Sequence, residues 1–213
     1  MAAQLALLIS LLILIFSIIL HEIAHGAMAN WLGDPTARLQ GRLTLNPIPH
    51  IDPFGSVILP ALLVFSHSGF LFGWAKPVPY NPYNLRRGGR FAEGLVALAG
   101  PATNLLLALI AAATVRVLAA FGAAPDTLSL AFYALVINVM LAIFNCIPIP
   151  PLDGSKILDI FLPAPLRLSY DRFRAMLERN PFAGLALVIL FAVIFGDAIS
   201  SVIFAVANLL AGS

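Results

Sequence analysis

The chain has 213 residues, of which 61% are hydrophobic and only 10% are charged, and its formal net charge is +2. Soluble globular domains are nearer one quarter charged, so this composition excludes an ordinary soluble domain and indicates an integral membrane protein. No basic run is interleaved with aromatic residues, so nucleic acid is not an expected partner. The single cysteine, Cys146, excludes an internal disulfide and a cysteine-rich metal site.

The first apolar segment covers about residues 3–32 and is long enough to cross a bilayer as a helix. It contains His21, Glu22 and His25 in the order His-Glu-x-x-His. Residues four apart share a helix face, so both imidazoles can reach one point, and the carboxylate can reach a water molecule there. Zinc hydrolases have this arrangement, with two histidine ligands and a glutamate base. The alternative is a polar cluster that only hydrogen-bonds neighbouring helices.

Trp31 is placed where an interfacial aromatic residue belongs. At 1.5 Å per residue, His21 lies about 15 Å and His25 about 9 Å from Trp31 along the helix axis. The motif is therefore predicted to lie inside the bilayer, nearer the Trp31 side. The start of the chain has neither a basic region nor a small-residue cleavage site, so we expect this helix to be retained.

The next stretch is predicted to be irregular. Residues 38–46 alternate between polar and apolar, which predicts a short strand or hairpin, a small membrane-associated β element. Residues 54–72 are apolar but short and interrupted by Pro60 and Gly69, which predicts a re-entrant segment that enters the membrane and returns. Residues 73–90 form a loop rich in proline, tyrosine and asparagine.

Three longer apolar segments follow, at residues 94–121, 128–147 and 182–211. The last has Gly196 and Asp197 near its middle, so it is either one tilted span or a span plus a shorter returning segment. Residues 163–180 are predicted to be an amphipathic connector, either on the cytoplasmic leaflet or capping the bundle. The predicted fold is an all-α polytopic membrane protein with about four transmembrane helices, the re-entrant segment and the β element. Residues 1–213 form one membrane-embedded domain.

Basic residues predict the orientation of the chain in the membrane. All but one lie in three loops, at positions 38 and 42, 76 to 90, and 156 to 179. Basic loops face the cytoplasm, so we expect the N-terminus outside the cell (plasma) membrane and the His-Glu-x-x-His motif toward the cytoplasmic side. Arg116 is the exception, near the outer end of its helix, where its side chain can extend to the interface.

A catalytic zinc ion needs a third protein ligand and one open position. The sequence offers four candidates, Asp153, Asp197, His50 and His67. Asp153 is favoured because three prolines just before it end a span, and non-helical chain at membrane depth is tolerated where it lines a cavity. It is also predicted to lie on the same side as His21 and His25. The alternative is a simple turn that ends the helix.

Several other polar residues have expected roles. Asn145 is expected to bind the substrate backbone or stabilise the tetrahedral oxyanion, and the alternative is an amide that caps the broken helix. Asn104 and Asn138 are interpreted as polar contacts between helices. His50 and His67 are interpreted as loop histidines with local partners rather than ligands.

These motifs resemble those of the site-2 proteases, the intramembrane zinc metalloproteases. The resemblance depends on His-Glu-x-x-His at residues 21–25, Gly-Pro-x-x-Asn at 100–104 and Asn-x-x-Pro-x-Pro-Pro-Leu-Asp-Gly at 145–154, in that order, with a further match at 73–79. It implies a three-helix catalytic core within about residues 1–160, one Zn²⁺ per chain on His21, His25 and Asp153, and Glu22 as general base. The chain has no room for the PDZ or CBS domains of larger members, so it resembles the minimal form.

The expected function is therefore intramembrane proteolysis by a zinc metalloendopeptidase, with a transmembrane protein as substrate and the lipid bilayer as surroundings. A transmembrane helix must be unwound before cleavage, and residues 38–46 and 74–79 are expected to hold the unwound segment by strand addition. One alternative is a transporter or metal carrier, which usually shows internal repeats that are not found here. The other is a non-catalytic scaffold that binds membrane segments, which has no need of Glu22. No oligomeric state is predicted.

Overall fold

The computed structural model describes residues 2–66 and 73–212, and this part of the chain contains helices and no strands. Its α-helices, in chain order, are α1 (Ala2–Leu32), α2 (Thr36–Leu39), α3 (Leu59–Phe65), α4 (Ala92–Ala120), α5 (Pro125–Asn145), α6 (Gly154–Phe161), α7 (Ala164–Arg179) and α8 (Pro181–Ala211). Short 3₁₀ turns lie at Ile48–His50, Pro82–Asn84 and Gly89–Phe91, and a π-helical turn at Pro53–Ile58 leads into α3.

Four of these helices, α1, α4, α5 and α8, are long and apolar enough to cross a membrane. The predicted all-helical membrane protein with four such helices is therefore confirmed. Proline in the first turn starts α5, and Gly212, with φ of 83°, ends α8 in the left-handed conformation. The α8 helix is continuous through Gly196 and Asp197, so the segment is one long helix without a returning part.

Helix α4 lies at the centre and packs against α1, α5, α6 and α8. Its contact residues are small, which lets the neighbouring backbones approach closely, as membrane helices require. The buried cluster that joins α4 to α5 and α8 consists of Ala108, Ala112, Leu135, Val139, Ile203 and Ala207. A second cluster joins α1 to α4 and consists of Ala29, Leu32, Ala92 and Val96.

The outward faces of the long helices are strongly apolar. Large hydrophobic side chains such as Leu7 in α1, Leu106 in α4 and Val193 in α8 are 57–76% exposed. Exposed apolar surface on this scale is not compatible with water and fits lipid contact. The chain is therefore an integral membrane protein.

Arg116 is the one basic residue outside the three basic loops, and it has hydrogen-bond partners in the structure. Its Nε donates to the carbonyl of Leu210 at 2.8 Å and one terminal nitrogen donates to Leu209 at 3.4 Å. The last carbonyls of a helix have no partners within the helix. Arg116 therefore caps the C-terminus of α8 and ties that helix to α4.

The predicted β element at residues 38–46 is wrong. Thr36–Leu39 forms a single helical turn, and the chain then turns at Gly41, whose φ is 66°. The residue that this stretch buries is Arg42, which donates to the Lys76 carbonyl at 2.7 Å, while Leu39 and Leu45 are exposed. The alternating pattern predicted a strand, but no partner strand lies among the described residues, and the charged side chain of Arg42 is buried against a carbonyl acceptor instead.

The predicted re-entrant segment is not supported. Its described part is the 6-residue turn Pro53–Ile58 followed by the 7-residue helix α3, and most of its side chains are partly or fully exposed. Length and composition alone do not make it a membrane-entering element. The remainder, including His67, lies outside the described residues.

The amphipathic connector is present as α7. Arg174 lies at its centre and forms ion pairs with Glu93 of α4 and with Asp171 and Glu178 on its own helix. Apolar side chains on other positions, such as Leu166, are exposed. Helix α7 thus docks on the bundle through these ion pairs and through the buried side chain of Leu177, and its location on a lipid surface stays a prediction.

Candidate metal centre

Helix α1 brings the two histidines of the His-Glu-x-x-His motif to one buried point. His21 is 6% exposed and His25 is 9% exposed. Their Nε2 atoms lie 2.9 Å apart, as expected for residues one helical turn apart on the same face. The facing position on α4 is Gly100, where a Cβ atom would lie 2.5 Å from both rings. Glycine is therefore required there for the rings to fit.

Hydrogen bonds fix the protonation of both imidazoles. His21 Nδ1 donates to Asn104 Oδ1 at 2.6 Å, and His25 Nδ1 donates to the Val96 carbonyl at 2.7 Å. A neutral imidazole that carries its proton on Nδ1 has a lone pair on Nε2. Both lone pairs are therefore directed at the same point, as in histidine ligands whose other nitrogen is held by a neighbouring acceptor.

A polar chain across three helices supports this orientation. The Asn104 amide donates to Asn138 Oδ1 at 3.0 Å and to the Ser17 carbonyl, and the Asn138 amide donates to the Ser17 hydroxyl at 3.0 Å. All three residues are buried. The predicted contacts between helices are therefore present, and Asn104 has the additional role of orienting His21, which the sequence did not indicate.

Asp153 approaches the histidines from the chain between α5 and α6. Its Oδ2 lies 3.2 Å from the Nε2 of His21 and 3.2 Å from the Nε2 of His25. Aspartate binds a metal ion as the carboxylate, so this oxygen can add a third lone pair at the point that the two imidazoles face.

These three atoms fit a zinc ion. Bonds of about 2.0–2.1 Å place neighbouring ligand atoms of a tetrahedral zinc site roughly 3.3 Å apart, close to the separations found here. Asp153 Oδ2 is buried and has no hydrogen-bond partner among the described residues. Three electron-pair donors this close repel one another unless a cation lies among them. The geometry therefore suits two histidines and one aspartate as a ligand set.

Glu22 also offers an oxygen within 4.8 Å of the histidine nitrogens. Its Oε2 accepts a hydrogen bond from the Val78 backbone N–H at 2.7 Å. This carboxylate is therefore held by the protein, whereas the Asp153 oxygen is not. The contrast favours Asp153 as the third ligand and leaves Glu22 beside the site, the position of a base.

The other predicted candidates do not join this group. His50 is buried, and its Nε2 bonds the Thr44 carbonyl at 3.0 Å, so it has the local partner expected of a loop histidine. Asp197 is exposed on α8. His67 lies outside the described residues.

A cavity of about 630 Å³ opens beside the three ligands, with mostly apolar walls. Asn145 lines it, and its amide nitrogen donates to the Leu141 carbonyl at 3.0 Å, a contact within α5, so its role toward a substrate stays a prediction. Lys156 and Tyr80 also line the cavity, and the Lys156 ammonium donates to the Tyr80 hydroxyl at 2.9 Å. Burial would lower the pKa of Lys156, but Tyr80 and nearby carboxylates raise it by more, so the pKa lies above its ordinary value. A permanent cation thus lies in the cavity.

The sequence missed Val78, Lys156 and Tyr80 as residues of this site. Lys156 and Tyr80 were visible only as members of basic or tyrosine-rich loops. Val78 contributes through its backbone, so no side-chain pattern could have indicated it.

Comparison with known proteins supports a peptidase. The family model for peptidase family M50 matches residues 120–191, which include Asp153. The chain is 39% identical over 160 residues to "Putative zinc metalloprotease YwhC" of Bacillus subtilis, and the match covers 72% of this chain and 69% of that protein. The chain belongs to peptidase family M50.

Two further relatives match less of their own length. "Putative zinc metalloprotease Rip2" of Mycolicibacterium smegmatis is 31% identical over 145 residues, 68% of this chain and 54% of the relative. "Putative zinc metalloprotease MJ0611" of Methanocaldococcus jannaschii is 38% identical over 68 residues, 31% of this chain and 33% of the relative. No solved structure gives a significant match. Membership of M50 confirms the resemblance to the site-2 proteases and the enzyme class, a zinc metalloprotease.

Proposed function

We propose that this M50 protein is an intramembrane endopeptidase that hydrolyses peptide bonds in the transmembrane segments of other membrane proteins. His21, His25 and Asp153 hold one zinc ion per chain, and Glu22 is the general base. The observation that carries this proposal is the convergence of three buried ligand atoms, 2.9–3.2 Å apart, beside an apolar cavity in a bundle with lipid-facing helices.

Each residue has a definite task. A zinc ion held by the three ligands would act as a Lewis acid on the scissile carbonyl and make a water molecule more acidic. Glu22 accepts the proton of that water and delivers it to the leaving amine, so that the C–N bond breaks as the new C–O bond is completed. The Val78 N–H holds the Glu22 carboxylate toward the site before substrate binds.

The segment at residues 74–79 is the surface proposed to hold an unwound substrate. The N–H groups of Trp74, Lys76 and Val78 donate to acceptors within the protein. In an extended chain the backbone groups of alternate residues point in opposite directions. The carbonyls of Ala75 and Pro77 therefore point the other way, and both residues line the cavity. Residues 38–46 form no strand, so the role falls to this segment alone.

The membrane and the orientation are also proposed. The proposed N-terminus lies outside the plasma membrane and the proposed metal centre lies toward the cytoplasm, because basic loops favour the cytoplasmic side. Asp153 follows α5 at the same end of the bundle as the loop at residues 74–79, in agreement with one shared side. The proposed substrate is therefore cut near the cytoplasmic face.

Co-expression with a tagged single-span membrane protein tests the proposal. The wild-type chain is compared with Glu22→Gln, which keeps the size of the side chain and removes the base. Asp126→Asn, which removes an exposed carboxylate in the first turn of α5 and outside the cavity, is the matched control. Loss of the cleaved product in Glu22→Gln alone is expected. Equal amounts of product from all three chains would contradict the proposal.

A further inference from the structure

The middle of α8 carries a carboxylate on the face that points away from the protein. Asp197 lies 16 residues from the start of this 31-residue helix and is exposed. Within the described residues its side chain has no ion pair or hydrogen bond, and its backbone carbonyl accepts from the Ser201 hydroxyl at 2.8 Å. An isolated carboxylate at the centre of a membrane helix is costly and is normally paired. The proposed peptidase chemistry does not use it.

The residues around Asp197 form one continuous exposed face along α8. Exposed residues recur at intervals of four and three along α8, at Leu190, Val193, Asp197, Ser201 and Phe204. The residues that α8 buries against the bundle, such as Val188 and Ile203, lie on the opposite side. Asp197 and Ser201 are the smaller side chains of this face, so a second helix can approach it there.

The positions of the basic residues in this chain indicate which kind of helix can bind beside Asp197. Of the twelve Lys and Arg residues, only Arg90 and Arg116 lie within the four long apolar helices. Arg90 is at the start of its segment, and Arg116 caps the end of α8. A second copy of the chain thus offers no cation at the level of Asp197 and would bring two carboxylates together. The missing partner is a cation from a different chain.

We propose that the outer face of α8 binds a transmembrane helix of another membrane protein that carries a Lys or Arg near its middle, with Asp197 as the acidic partner. Ser201 adds a hydroxyl to the same face, and the flanking apolar side chains pack against the partner helix. The proposal does not depend on catalysis, because Asp197 lies outside the metal centre and its cavity.

The test uses the full chain, labelled with a donor fluorophore, in phosphatidylcholine vesicles. The probes are synthetic Leu-Ala helices that span the bilayer and carry an acceptor fluorophore, with a central Lys, a central Leu or a central Asp. We expect the wild type to bind the Lys helix roughly three- to twenty-fold more tightly than the Leu helix, the range of polar contacts between membrane helices. Asp197→Asn should abolish this preference, and Asp197→Lys should transfer it to the Asp helix.

The matched control is Asp126→Asn, which removes an exposed carboxylate in the first turn of α5 and should leave the preference intact. Equal binding of the Lys and Leu helices by the wild type would overturn the proposal, as would an unchanged preference in Asp197→Asn. Energy transfer between labelled copies of the chain that depends on Asp197 would also overturn it, because the second copy would then be the occupant.

Discussion

The hydrogen bond from Val78 to Glu22 can be removed with little other change. Val78 lies between Pro77 and Pro79, so its backbone is already restricted to extended conformations that proline also adopts. Val78→Pro removes the N–H and keeps a side chain of similar size. The bond is 2.7 Å long and its acceptor is charged, and such bonds contribute about 1.5–3 kcal/mol. If this energy orients the base, kcat should fall by about 10- to 150-fold.

The assay is cleavage of a single-span substrate by purified protein in vesicles, with zinc content measured in parallel. Val78→Ala is the matched control, because it keeps the N–H and loses only methyl groups from this buried side chain. We expect Val78→Ala to retain most of the activity and both variants to bind zinc. If Val78→Pro cleaves as fast as Val78→Ala, the backbone N–H does not orient Glu22 and the reasoning fails.

Three further predictions concern the surroundings of the centre. Asn104→Leu should weaken zinc binding by about 10- to 100-fold in a competition assay with a chelator, because His21 loses the acceptor that fixes its tautomer. Gly100→Ala should lower zinc affinity while the helical content by circular dichroism is retained, because a Cβ there would collide with both imidazole rings. The third concerns Asp34. Burial would raise the pKa of its carboxyl group, but hydrogen bonds from Thr36, Asn84 and the Asn81 N–H outweigh burial and bring the pKa below its ordinary value of 3.8. This carboxylate stabilises the fold above pH 3.8 and loses its effect as pH falls toward the lower folded pKa, so Asp34→Asn should lower the thermal midpoint at pH 6 but much less at acid pH.

The candidate metal centre was largely predictable, because its proposed ligands belong to short sequence motifs. His21 and His25 are one helical turn apart, and the prolines before Asp153 mark a break in the helix at membrane depth. The long apolar segments likewise predicted the four long helices. A short pattern gave a wrong prediction. Residues 38–46 alternate like a strand, but no neighbouring strand exists among the described residues. Arg42 in this stretch donates to a buried carbonyl acceptor instead.

The contacts that orient the site were not predictable, because they join residues far apart in the chain. The Asn104 amide forms hydrogen bonds with residues of α1 and α5, and the Glu22 carboxylate accepts a hydrogen bond from a backbone N–H 56 residues later. Arg116, the exception to the orientation rule, donates to a carbonyl at the end of α8, 94 residues later in the chain. Such pairings depend on how the helices pack, and a single sequence contains no local signal for them.

The most direct test of the central claim is to map the ends of the products. Purified protein, loaded with zinc in vesicles, is incubated with a single-span substrate, and the new termini are identified by mass spectrometry for the wild type and Glu22→Gln. The account predicts termini inside the apolar segment, toward its cytoplasmic end, from the wild type only, although both proteins hold zinc. Termini confined to the soluble flanks, or the same internal termini from Glu22→Gln, would contradict it.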